Sequence, residues 1–124
     1  MVQLNDSKIA FVEKILAKTK AFALTAISLY KKLPATEESK IIGRQFLRSA
    51  TSAGANYRAA CRARSKAEFF AKLSITIEEA DESIYWLELL EESGTISNSE
   101  TKYLIKEANE ITAILATARK NTYS

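Results

Sequence analysis

The feature that most constrains this chain is an apolar stripe repeating at alternating spacings of three and four residues. It is interrupted at three short places across 124 residues. Its first run holds Ile9, Val12, Leu16, Thr19, Ala23, Ala26, Tyr30 and Leu33, widened by Ile15, Phe22 and Leu29. That period belongs to an amphipathic helix, because a strand would show alternation every second residue. The run closes at Lys31-Lys32-Leu33-Pro34, where cations suit a helix C-terminus and proline disfavours helical geometry in the residue before it. A first helix over about 7–32 follows.

Thr36, then Glu37 and Glu38, gives a capping hydroxyl and negative charge on a first turn. The stripe resumes at Gly43, Phe46, Ala50, Ala53, Tyr57 and Ala60, which places a second helix at 37–62. Ser65-Lys66-Ala67-Glu68 reads as a capping box, in which hydroxyl and carboxylate satisfy backbone amides reciprocally. It opens a third helix, 66–92, with Phe70, Leu73, Ile77, Ala80, Ile84 and Leu87 as its apolar face and Ser93-Gly94 as its stop. A second box, Ser97-Asn98-Ser99-Glu100, opens a fourth helix over 98–120 with Leu104, Ala108, Ile111, Leu115 and Ala118 inward. Short connections make successive helices antiparallel. The expected fold is all-α, an up-down-up-down four-helix bundle formed as one domain by residues 1–124. Phe70 and Ile77 are expected in its core, each costing roughly 2–5 kcal/mol on truncation to alanine.

Composition closes several functional routes. The chain has no histidine, the residue on which most general acid–base pairs, Ser-His and Cys-His nucleophiles and zinc sites depend. Cys61 is the single cysteine, so no internal disulfide can form. Among Ala59, Ala60 and Ala63 it reads as a small buried hydrophobe. No uninterrupted apolar stretch is long enough for a membrane span, and the N-terminus lacks a signal-peptide pattern, so the expected location is the cytoplasm. No cofactor and no catalytic metal is expected. Glu78 and Glu82 could share a cation weakly, but solvated carboxylates explain them as well.

Charge is distributed unevenly. At 100° per residue Arg44, Arg48, Arg58 and Arg62 share one face of the second helix, and Arg64 and Lys66 extend the ridge into the following turn. Such a face can be plain solvated surface, or an anion and nucleic-acid contact in which arginine forks meet phosphate oxygens. Between Lys72 and Lys102 there is no cation, while Glu78, Glu79, Asp81, Glu82, Glu88, Glu91 and Glu92 accumulate. Opposite surfaces on one chain also fit self-association or docking of another protein. Gln45, Ser49, Ser52 and Asn56 form a narrow polar seam where a neighbouring helix can approach closely and where Asn56 could fix register through a buried hydrogen bond. Tyr85 and Trp86 cannot both face one core; an outward Trp86 would point to an interface.

The run from Phe46 to Arg58 (FLRSATSAGANYR), then Ser65-Lys66-Ala67-Glu68-Phe69, then Glu82 and Tyr85 to Leu90, resembles the bacterial four helix bundle protein family. Members of that family include proteins encoded in intervening sequences of 23S rRNA genes. The resemblance runs from about Ala21 to Lys120 and implies a homo-oligomeric, pentameric ring of antiparallel bundles. It also implies kinship with accessory proteins of diversity-generating retroelements, which are strongly basic and interact with nucleic acid and a reverse transcriptase. This chain carries a net charge of only +3 and has Ala59 where many relatives place a glutamate. The leading expectation is a non-enzymatic oligomer that binds structured RNA or DNA through Arg44, Arg48, Arg58, Arg62, Arg64 and Lys66. Its rival is a structural or adaptor protein, with Ser49, Ser52, Asn56, Glu82 and Trp86 at contacts and no nucleic acid. An enzyme ranks third, because no nucleophile has a visible activating base.

Overall fold

The computed structural model describes residues 5–96 and 99–124. Four α-helices follow one another: α1 (Asp6–Lys31), α2 (Glu37–Cys61), α3 (Lys66–Glu92) and α4 (Ser99–Lys120), with a short 3-10 turn at Asn121–Tyr123. Each expected boundary among the described residues lies within one residue of the observed one, and the expected start of the fourth helix at residue 98 falls outside them. The Asn5 side chain caps α1 by accepting from the Lys8 amide, and Thr36 caps α2 by accepting from the Ser39 amide. Ser65 caps α3 by accepting from the Glu68 amide at 3.1 Å. The reciprocal half of that box differs from expectation: the Glu68 carboxylate accepts from the Arg64 amide, one residue before the cap. The second box, Ser97 to Glu100, has its first two residues outside the described ones. Gly94 has φ 75°, a left-handed conformation that glycine adopts without strain, and the amides of Thr95 and Ile96 fold back onto the Leu90 carbonyl.

The helices run up, down, up, down around one core, with α1–α3 and α2–α4 on the diagonals. Cross-helix pairs fix the directions. Lys18, midway along α1, reaches Glu107 and Glu110 midway along α4 (both 2.9 Å), while Lys32 at the end of α1 meets Glu100 at the start of α4. Where α1 ends, Gly43 of α2 leaves room for Leu33 and Tyr30; a Cβ there would stand 2.7 Å from Leu33 Cδ1.

The α2 stripe (Gly43, Phe46, Ala50, Ala53, Tyr57 and Ala60) and the α4 stripe through Leu115 are buried as expected, with Ala118 half-buried. On α1 the seam is Ile15, Thr19, Phe22, Ala26 and Leu29, so the residues expected to widen the stripe form its centre, and Ile9 is exposed. The α3 face is corrected more sharply. Its buried line is Leu73, Thr76, Ala80, Ser83, Leu87 and Leu90; Ile77 and Ile84 flank it, and Phe70 is 38% exposed. Small hydroxylated residues occupy the seam because α3 lies close to α2. Thr76 donates to the Lys72 carbonyl (2.9 Å), and Ser83 donates to Ser49 Oγ (3.1 Å), which itself donates to the Phe46 carbonyl (3.1 Å). With their polar atoms satisfied, these side chains fill a gap too narrow for isoleucine.

The Lys18 cluster gives the bundle an acid-sensitive contact. Burial opposes the Lys18 charge, but hydrogen bonds to Glu110 and Glu107 outweigh it and raise its pKa. The hydrogen bond from Lys18 lowers that of Glu110. A depressed carboxylate contributes stability that is complete above its ordinary value of about 4.3 and is lost as pH falls through its lower folded value. Lys18→Met should therefore flatten the acid limb of stability measured by urea unfolding from about pH 5 to pH 2. Equal slopes in variant and parent would disconnect this cluster from acid sensitivity.

Candidate functional site

The expected arginine ridge divides in two. Arg44, Arg48, Arg58 and Arg62 all lie exposed on the outer face of α2, but Thr51, Gly54 and Ala55 separate the first pair from the second. Arg48 is engaged within the molecule: its guanidinium donates to Glu79 at 3.0 Å and to Glu82 at 2.5 Å, both on α3. The field of Glu79 is the main cause of its raised pKa. Glu82 also accepts from the Trp86 indole at 3.1 Å. Arg48, Glu79, Glu82 and Trp86 thus form one clip across α2 and α3. Trp86 is half-buried against the core, and Tyr85, in edge contact with it at 5.0 Å, is the one that faces outward.

The polar seam is also redistributed. Ser49 is fully buried on Ser83, which fits the close approach of a neighbouring helix. Among the described residues Asn56 bonds within its own helix: its amide donates to the Ser52 carbonyl (2.9 Å) and hydroxyl (3.0 Å) one turn back on α2. Gln45 is exposed. Satisfying Asn56 locally leaves the α2–α3 register to the serine pair and to the Arg48 clip.

The second half of the ridge opens onto more positive charge. Arg58, Arg62, Arg64 and Lys66 are exposed, and only Arg64 has a carboxylate near it among the described residues, Glu68 at 3.9 Å. Antiparallel packing brings Lys8 and Lys14 from the start of α1 and Arg119 and Lys120 from the end of α4 to this same end, against the carboxylates of Asp6, Glu13 and Glu68. Arg119 stays partly buried, donating to Ser74 and standing 5.9 Å over the Phe70 ring. Between α1 and α2 lies an open groove of about 530 Å³ with Leu16, Ala23, Gly54 and Ala55 along it and Lys20, Arg58 and Arg62 beside it. Lys20, Lys8, Lys14, Arg119 and Lys120 were not singled out in the sequence. For Lys8, Lys14, Arg119 and Lys120 the sign and the position towards the helix ends would have sufficed once the helices were placed antiparallel; Lys20, midway along α1, is found only from the packing of α1 on α2.

The acidic run splits in the same way. Glu79 and Glu82 turn to Arg48, while Glu78, Asp81, Glu88 and Glu92 surround Tyr85 on the outer face of α3, exposed and without a cationic partner among the described residues. Among the described residues no group of three Cys, Asp or Glu side chains converges to hold a metal ion, and no helix is long and apolar enough to cross a membrane. Cys61 is half-buried beside Tyr57, and burial raises the pKa of both groups.

The family model described as 23S rRNA-intervening sequence protein matches residues 13–117. A crystal structure of a protein with unknown function from the S23 ribosomal protein family of Bacteroides thetaiotaomicron VPI-5482 superposes with a TM-score of 0.80 at 36% sequence identity. The match covers 89% of this chain and 98% of that one. No curated protein matches.

Proposed function

The chain belongs to the 23S rRNA-intervening sequence protein family, and from that premise we propose that it is a non-enzymatic bundle that binds structured RNA through its basic end. The observation that carries this reading is the convergence of Arg58, Arg62 and Lys66, all exposed and none held by a carboxylate among the described residues, with Lys8 and Lys20 beside them. Unpaired guanidinium and ammonium groups on a rigid helical frame meet phosphate oxygens without first breaking an internal ion pair. Arg48 leaves the binding set, because it would have to surrender Glu79 and Glu82, and Arg44 stands apart from the cluster.

Anisotropy of a labelled RNA hairpin tests it. With about four phosphate contacts, affinity should fall on the order of 10²-fold between about 50 and 200 mM salt. No saturable binding at the lower salt would remove nucleic acid from the account.

A second reading is favoured by a separate observation, the unpartnered acidic face around Tyr85. In it the protein is an assembling or adaptor module, its acidic α3 face meeting a basic surface of a second copy or of another protein. Two different patches joined head to tail close into a ring when the rotation allows, which accommodates the five-fold assembly that the family resemblance implies. Here Glu88→Lys would disrupt the assembly seen by light scattering, whereas under the RNA reading it leaves the affinity for the hairpin undiminished.

A further inference from the structure

We propose that the cavity at the basic end of the bundle is a binding site for an alkyl or acyl chain that terminates in a carboxylate. This goes beyond the RNA reading and does not depend on it. The cavity measures about 330 Å³ and opens where the first turns of α1 and α3 meet the last turns of α2 and α4. The space is open to solvent on one side, and its size sits at the lower end of the range for small-molecule sites, roughly 300–1,000 Å³.

Its lining specifies the chemistry. Phe11, Val12, Phe69, Leu73 and Ala118 supply apolar walls. The Tyr57 hydroxyl and the Cys61 thiol adjoin one another, and burial keeps both neutral at ordinary pH. Walls of this kind offer few groups to hold water, so an alkyl chain entering them removes apolar surface from solvent without stripping a polar group of its partner. The charge lies at the edge: Lys8 and Lys66 contribute from the exposed first turns of α1 and α3, and among the described residues no Asp or Glu lines the cavity. Two ammonium groups at the mouth of an apolar slot favour an anionic head that stays in water while its chain goes in. Asn121 completes the lining with a side-chain amide that can donate to a carboxylate, while the Thr122 hydroxyl beside it donates to the Ala118 carbonyl (3.0 Å).

Octanoate is the probe, with octanol and octyltrimethylammonium as matched chains of different head charge, all used below their micellar concentrations. Cys61 is the one cysteine in the chain and borders the cavity, so its alkylation rate reports occupancy at a single atom. Octanoate should raise Tm and slow alkylation saturably, with octanol about tenfold weaker and the cation weaker still. An Ala118→Leu variant, which narrows the slot, should abolish protection by octanoate. No protection by octanoate in the parent protein overturns the site. Equal protection by all three chains overturns the assignment of a carboxylate head.

Discussion

Reversing Arg62 and Lys66 together to glutamate should lower RNA affinity on the order of 10²-fold at low salt and reduce the salt slope by about two, one for each phosphate contact removed. The pair suits the test because its effect on folding is small. Arg62 caps the C-terminus of α2, where a negative charge opposes the helix dipole, whereas Lys66 opens α3, where a negative charge is favoured. The two effects run in opposite directions, each at roughly 0.3–1 kcal/mol, so Tm should move little. The matched control is Arg44→Glu. Residue 44 lies eighteen positions along α2 from residue 62, about 27 Å at the helical rise. At about 50 mM salt that is roughly two Debye lengths of about 14 Å, so most of its charge is screened from the basic end. A loss at position 44 equal to that at 62 and 66 would mean that the whole ridge binds; a loss at neither would leave the assembly reading in its place.

This design differs from what the sequence alone recommends, and the difference is physical. Helical periodicity aligned Arg44, Arg48, Arg58 and Arg62 on one face, and all four are exposed on it. Periodicity along one helix cannot show what the next helix presents. Arg48 meets Glu79 and Glu82 because α3 packs antiparallel at that height, and the pairing turns a candidate ligand contact into a cross-helix clip. The same blindness misplaced Asn56, whose partner proved to be one turn back on its own helix and not across the bundle. Local signals fared better. Thr36, Ser65 and Gly94 stop and start helices through atoms within four residues, so capping chemistry located each boundary. The α2 face was legible because its small residues leave a single apolar stripe, whereas α3 has apolar residues on more than half its circumference. Which line of such a helix faces inward depends on how closely its neighbour approaches.

That ambiguity in α3 yields the largest expected change in stability. Leu87 is 0% exposed in the buried line of α3, and Leu87→Ala should cost roughly 2–5 kcal/mol through lost burial and the cavity left behind. For a chain of this size the melting temperature should drop by roughly 10 °C or more. Phe70→Ala removes a larger side chain for a smaller effect. Its ring rests 5.8 Å from Tyr123 and under Arg119 at the open end of the bundle, where water refills the space, so about 1–2 kcal/mol should be lost. The order matters more than either value, because residues 70 and 87 both lie on the face that simple periodicity selects, and only the seam through Thr76 and Ser83 separates them. Thermal unfolding of the two variants therefore reads the rotation of α3 about its axis. If Phe70→Ala proved as damaging as Leu87→Ala, the helix would be turned towards Ile77 and Ile84, and the serine contact between α2 and α3 could not form.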